Sequence, residues 1–563
     1  MTFYNLEIMS SQISNDHENS VVMRRHTKSF GWRLKAVLIA VVILSVSPSA
    51  YAQTSRQPTA EKIINDYFKA AGGKKRLAAI KSAVYQWKYR RGSSPNAGQA
   101  QTRLQNPALY RFDLSEPAVS GLSTNDESAA TIATNGNAVW RRDADGKLRT
   151  LSDAESRAVR LQSILAATKL VDIKRQRISA QIIGNEKVAG ETASVIEFSA
   201  RNGARIRYFF GVNSKLPIKI ENPAAQTSVC LSDYRDAGNG ILEAQKLTEP
   251  CAAESSANSV VFELEKVSYN APLSQTIFDP PGTLENFDLA ALLAELTENE
   301  EKLQERLSEY SFVQKVSERT FTGKGAVKKE SQRIYEVFPT RGGKRVLKLI
   351  SENGVPLAGE KLAGEERRAS KELTDAEEDF EKEQRKRQNM PTELEQRRRS
   401  ETTPAGGGLE QQAILTLLRT SDVYAPRIEF FRNREAIVVN FRPRANFKPR
   451  DFNEAVFSKL AGIAWIDKEE KQIIRLESIV TENVKLGGGL LATFRKGSAI
   501  VFERTKFGEV WLPKLFQANA SARFLLVAGL DASSETEYGS YNRFESEVKD
   551  YKVNEPGEQK PPN

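Results

Sequence analysis

The chain has 563 residues, enough at about 150 per domain for three to four units with cores of their own. Hydrophobic residues are 40% and charged residues 27%, which excludes a wholly disordered, collagen-like or polytopic membrane chain and leaves a large soluble protein. The formal charge is +10, and both histidines, His17 and His26, lie in the leader. A processed chain then has no imidazole for Ser-His-Asp or Cys-His catalysis, histidine-ligated zinc or a histidine pH switch, while carboxylate, lysine and tyrosine chemistry stay open.

The first 52 residues read as an export leader. Arg24, Arg25, Lys28, Arg33 and Lys35 precede the apolar run Ala36 to Val46, and Ala50-Tyr51-Ala52 offers the small residues of a cleavage site, so cleavage is expected after Ala52. The run is shorter than the roughly 20 residues that span a bilayer, and no cysteine follows it to carry a lipid anchor. Glu7, Asp16 and Glu18 are out of place ahead of such a segment, which points to Met23 as the natural start. Removing the leader leaves 77 basic and 69 acidic residues, a charge of +8. That mild excess reads as a solubilising surface or as attraction to anionic headgroups, not as a nucleic-acid patch. The expected location is periplasmic or secreted.

From Thr59, an N-cap, the residues Ile63, Ile64, Tyr67 and Phe68 recur at helical spacing up to Gly72-Gly73. Tyr85, Trp87 and Tyr89 then alternate with polar residues, as do Tyr110, Phe112 and Leu114, the period of strands with one apolar face. Asp143-Ala144-Asp145-Gly146 reads as a hairpin turn, since Arg141 and Ser152 stand where a calcium loop needs acids. Ser152 with Glu155 has the capping-box spacing ahead of Leu161, Ile164 and Leu165. Strand patterns resume at Ser194 to Phe198, Ile206 to Phe210, Leu216 to Glu221, Cys230 to Tyr234, Ile241 to Leu247 and Val260 to Tyr269. Cys230 and Cys251 are the only cysteines; an oxidising location favours a disulfide over two buried thiols, and the bridge would be worth about 3 kcal/mol.

Asp279-Pro280-Pro281-Gly282 ends this run, and a domain boundary is expected just beyond it, between residues 53–285 and 286–563. Asp288 caps a leucine-rich helix, after which strands return at Tyr310 to Val316, Ile334 to Phe338 and Val346 to Ile350. The hairpin pattern of Tyr208 to Glu221 repeats at Ala464 to Glu477, and a further hairpin follows each, at Cys230 to Leu247 and Ser498 to Leu515, which points to two copies of one β-rich fold. Residues 359–400 hold 23 charged residues of both signs, the pattern of a solvated helical insertion. Gly487-Gly488-Gly489 reads as a strand bend.

Taken together, Ala60 to Gly73, Leu77 to Ser82, Asn135 to Trp140, Ile183 to Gly190, and Val267 to Asn270 through Phe278 to Pro281 resemble the LolA/LolB-like periplasmic lipoprotein carriers, especially the outer-membrane lipoprotein-sorting proteins. The resemblance covers residues 53–285 well and 286–563 more loosely. It implies an α+β, β-rich fold of two curved antiparallel half-barrels, each closed by helices, around an apolar cavity for acyl chains. Tyr85, Trp87, Tyr89, Tyr110 and Phe112 are the cavity candidates in the first half, and Trp465 and Phe502 in the second, where Ile437, Val439, Phe441, Ile500 and Trp511 are expected on comparable faces. The same stripes would equally serve as plain core.

No GxSxG elbow, phosphate loop or CxxC occurs, and the carboxylate pairs Glu377-Glu378 and Glu469-Glu470 read as exposed charge. No catalytic residue, metal or cofactor is therefore assigned. Two readings remain: an envelope carrier or sensor of lipid or lipoprotein acyl chains, with membrane-surface or envelope-protein contacts, and a fully packed scaffold that binds another protein.

Overall fold

The computed structural model describes residues 58–92, 97–115, 130–251, 259–307, 309–322, 327–341, 344–388, 408–486, 492–524 and 528–543. The leader, the triple glycine and residues 389–400 of the charged stretch lie outside them.

Thr59 caps α1 (Ala60–Ala70), its Oγ1 accepting from Lys62 N at 3.3 Å. The chain leaves through Gly72 at φ +114°, where a Cβ would stand 2.1 Å from the Gly240 carbonyl oxygen, so only glycine fits. After α2 (Lys74–Ala79) comes a meander of six strands: β1 (Ser82–Arg91), β2 (Ala97–Gln105), β3 (Leu109–Ser115), β4 (Ala130–Thr134), β5 (Val139–Arg142) and β6 (Leu148–Thr150). The β5–β6 connection is the expected turn, closed by Gly146 N to Asp143 O at 2.9 Å. Helix α3 (Asp153–Ala167) follows, and a second meander returns through β7 (Ser179–Val188), β8 (Glu191–Ser199), β9 (Arg205–Gly211), β10 (Pro217–Asn222), β11 (Thr227–Asp236), β12 (Leu242–Glu249) and β13 (Val260–Tyr269).

The last strand pairs with the first, so the antiparallel order is β6-β5-β4-β3-β2-β1-β13-β12-β11-β10-β9-β8-β7. Both free edges, β6 and β7, flank α3 in the chain. That helix packs on β2, β3, β4 and β5 and also on β9. In a flat sheet β2 and β9, six steps apart, would be about 29 Å from each other, too far for one helix about 10 Å across. The sheet therefore curls around α3, and the helix crosses the opening that hydrogen bonds between β6 and β7 would have closed.

The second sheet repeats this plan. Helix α4 (Leu289–Leu307), with Asp288 Oδ1 accepting from Ala291 N at 3.0 Å, leads into β14 (Tyr310–Phe321), β15 (Val327–Pro339), β16 (Arg345–Glu352) and β17 (Val355–Pro356). Helices α5 (Gly359–Gln388) and α6 (Gly408–Thr420) precede the returning strands β18 (Ser421–Phe431) and β19 (Arg434–Pro443). After α7 (Phe452–Phe457) come β20 (Leu460–Asp467), β21 (Ile473–Val480), β22 (Val484–Leu486), β23 (Ala492–Phe494), β24 (Ala499–Phe507), β25 (Val510–Phe524) and β26 (Ala528–Arg543). The order β17-β16-β15-β14-β26-β25-β24-β21-β20-β19-β18 again pairs the last strand with the first, while β22 and β23 branch off through β25. Each returning meander has seven strands on this path, and the hairpins that resemble each other in sequence, β9–β10 and β20–β21, are the third and fourth of each. The α+β architecture of two open, helix-covered sheets is the expected one.

Three local expectations change. The Ser152/Glu155 capping box does not form: the Ser152 side chain turns to Asp153 and Glu155 binds Arg149, because Asp153 faces cations of the second sheet. The charged stretch is not solvated all round, since Ala369 and Ala376 of α5 are buried where it packs on β16 and Glu365 accepts from Leu349 N at 3.2 Å. Glu470, read as exposed charge, is half-buried and accepts from Trp511 Nε1 at 2.8 Å and Lys506 Nζ at 2.7 Å.

Candidate functional site

The concave face of the first sheet carries the aromatic stripe. Period-two alternation puts Tyr85, Trp87 and Tyr89 on the face that α1 and α3 cover, 5%, 6% and 1% exposed, with Gln86, Lys88 and Arg90 on the other. Register sets Trp87 opposite Ala100 and Leu264, and Tyr89 opposite Phe262, whose ring lies 5.9 Å from that of Phe112. Tyr110 and Phe112 of β3 are half-buried on the same face. Ile64, Tyr67 and Phe68 of α1 and Leu161 and Leu165 of α3 complete this cluster.

Several polar atoms on this face are paired. Trp87 Nε1 donates to Thr102 Oγ1 at 3.1 Å, and Tyr89 OH to Ser115 O at 3.2 Å. Tyr85 OH donates to Glu243 Oε1 at 2.8 Å, as does Tyr269 OH, and Lys169 Nζ donates to both Tyr85 OH and Glu243 Oε1 at 2.7 Å. Burial alone would lower the Lys169 ammonium, but the Glu243 carboxylate outweighs it and holds the pKa above the ordinary lysine value. Burial, with Glu243 beside it, pushes Tyr85 well up, so its phenol stays protonated. The result is one polar spot, an ammonium, a carboxylate and two phenols, in an otherwise aromatic wall.

Tyr85 was legible from alternation, whereas Lys169 and Glu243 were not. They lie 74 residues apart, and neither has a local pattern that marks it. The positive φ of Lys169, +49°, belongs to the turn that ends α3 and aims the side chain inward.

In the second sheet, Trp465 and Phe502 lie on opposite faces. Trp465 pairs with Arg475, and Arg475 with Glu503, whereas Phe502 pairs with Leu476 in the next row. Phe502 shares its face with Val439, Leu476 and Arg504, which binds Glu300 of α4. Trp465, fully buried, belongs to the outer face instead, beside Phe431 at 5.4 Å. The row of Trp465 continues into the charged residues Arg475 and Glu503, so no apolar cue in the sequence marked this face as buried.

That outer face is where the two half-barrels meet. Asp153 at the start of α3 binds Arg475 at 2.9 Å and Arg432 at 2.7 Å, and Arg160, about two turns along the same face, binds Glu477 at 2.9 Å. Thr150 of β6 donates to Glu429 and accepts from Arg427, both fully buried ions of β18. Cys230 and Cys251 form a disulfide, Cα atoms 4.7 Å apart, on the outer face of the first sheet beside Phe209. Among the described residues no group of three His, Cys, Asp or Glu side chains is placed to hold a metal, and no helix is long and apolar enough to cross a membrane.

No family model matches the chain, and no curated protein does. Solved structures similar to it include a LolA superfamily protein, NE2245, from Nitrosomonas europaea, at 14% identity over 40% of this chain and 98% of that one, TM-score 0.28. A putative outer membrane lipoprotein-sorting protein domain from Vibrio parahaemolyticus matches at 9% identity over 38% and 97%, TM-score 0.26. The MucA/MucB complex of Pseudomonas aeruginosa matches at 8% identity over 86% and 99%, TM-score 0.15. At such scores these are likenesses only, and the half-barrel architecture rests on the chain's own strand order and helix contacts.

Proposed function

We propose that the chain is an exported, non-catalytic carrier or sensor of the bacterial cell envelope that shelters acyl chains of a lipid or lipoprotein in its half-barrels, with 53–285 and 286–563 as its two domains. The observation that carries this reading is the open first sheet: its edges β6 and β7 are bridged by a helix over an aromatic face, where strand pairing would have sealed it. A helix held by side-chain contacts can yield to an apolar guest, and each methylene buried adds about 0.8 kcal/mol. The Lys169–Glu243 spot would then meet a polar end group.

A second reading is favoured by one observation. Tyr85, Trp87 and Tyr89 are almost wholly buried without a guest, as a packed scaffold that binds another protein through its surface would require.

Titration with a fluorescent fatty acid separates the two. Under the carrier reading the wild type takes up the probe, and Trp87→Asp or the half-buried Tyr110→Asp weakens uptake roughly tenfold or more while melting cooperatively. A wild type that ignores the probe, together with variants that unfold, would establish the packed scaffold.

A further inference from the structure

The outer face of the first sheet holds a groove of about 410 Å3 that faces away from the aromatic stripe. Its floor is one cross-strand row, Gln86–Gln101–Asp113–Thr131–Arg142, running over β1 to β5. Four strand spacings make it about 19 Å long. Beside this row the turn Gln275–Phe278 packs on β3 and β5, where Ile277 O accepts from Arg111 at 2.8 Å and Phe278 O from Trp140 Nε1 at 3.0 Å.

The groups in this groove divide into those already satisfied and those with capacity to spare. Asp113 is saturated: Arg103, Arg111 and Thr131 all donate to it, and these donors keep its carboxyl below the ordinary range against the opposing effect of burial. The Gln99 amide nitrogen, in the orientation that satisfies both ends, donates to Trp87 O at 3.1 Å and Glu265 Oε2 at 3.2 Å. Arg142 differs. It is half-buried, its Nε is out of water with no acceptor, and it faces the groove. A guanidinium carries five donors and a charge that cannot be shed; with the Nε buried, the remaining donors of Arg142 are the ones an anion in the groove would meet. Gln86 and Gln101 line the same floor with amides that donate and accept.

Charge is therefore graded along the groove. Arg103 and Arg111 exceed Asp113 by one, Arg142 adds a second positive charge at one end, and at the other Glu265 lies beside Lys266, which pairs with Gln86. The lining is mostly polar, which gives an acyl chain nothing to bury against. An anion held at Arg142, hydroxyls across Gln101 and Gln86, and a hydroxyl donor at Glu265 match this order of groups. From this geometry we infer that the groove is a binding site for a short oligosaccharide carrying a carboxylate at one end, distinct from the concave face.

Calorimetric titration of the full chain with lactobionate, a disaccharide acid with one carboxylate and one neutral ring, tests the assignment. Lactose, gluconate and inorganic phosphate serve as comparisons. Lactobionate binding is expected to be at least roughly tenfold tighter than that of the other three. Arg142→Gln should reduce lactobionate to the level of lactose, and Gln101→Ala should weaken lactobionate and lactose alike, both with the wild-type melting transition. No lactobionate binding, or binding that Arg142→Gln leaves unchanged, overturns the site. Phosphate or gluconate binding as tightly as lactobionate would show a plain anion site and overturn the oligosaccharide assignment.

Discussion

Lys169 is held by one strong interaction inside the first half-barrel, and its alternatives are poor. Its backbone is left-handed, which costs an ordinary residue about 1–2 kcal/mol, and its ammonium ends between Tyr85 and Glu243. Glu243→Gln would leave a buried ammonium with a neutral partner, and a loss of about 3–5 kcal/mol is expected in chemical denaturation. The pH dependence identifies the cause. The folded-state pKa of Lys169 is raised, so its contribution is complete below the unfolded lysine value of about 10.4 and fades as pH climbs through the folded one. Wild type should lose stability over that alkaline range and Glu243→Gln should lose less; equal slopes would contradict the assignment. Alternation alone identified Tyr85, Trp87 and Tyr89 as facing one way, because strand periodicity is local. The partners of Tyr85 depend on strands that meet only after the whole meander has returned.

Among the elements, α3 has two duties. Leu161 and Leu165 pack into the concave face of its own sheet, while Asp153 and Arg160 reach the outer face of the other. In the sequence its apolar spacing was plain, but Ser152 and Glu155 suggested a self-contained cap. The cations that draw Asp153 away come from β18–β19 and β21, some 280 residues or more further on. The sequence likeness of β9–β10 to β20–β21 survived because both hairpins hold the same place in their meanders. Their outer faces diverged: Phe209 lies under Lys219 and the disulfide in one, and Trp465 lies beside the Asp153 contact in the other. Burial would raise Asp153, but Arg475 and Arg432 keep it below the ordinary aspartate value; Lys514, Arg475 and Arg432 do the same for Glu503. Depressed carboxylates stabilise above their unfolded pKa, near 3.9 for Asp and 4.3 for Glu, and that contribution disappears as pH falls through the folded values. Hydrogen exchange below about pH 4 should therefore open the first turn of α3 before the central strands β1 and β13. Simultaneous opening of helix and strands would contradict this order.

For the whole molecule, the repeated topology gives one chain two sheets of the same plan, each with its first and last strands paired inside the sheet and its free edges joined by helices. The sheets are not equivalent in use. The concave face of the first is aromatic with one ionic spot, its outer face bears a polar groove, and the outer face of the second is buried in the contact between them. The alternation indicated a β-rich chain and the composition one without histidine chemistry, yet neither gave a sign of the groove, whose residues come from six strands and look like ordinary solvent-facing positions in each. The central claim is that the concave faces shelter acyl chains. Its most direct test is to express the chain from Gln53, purify it without detergent and analyse an organic extract by mass spectrometry. Phospholipid or fatty acid in a fixed ratio to protein is the expected result; a clean extract from folded protein that also takes up no acyl probe would contradict the account.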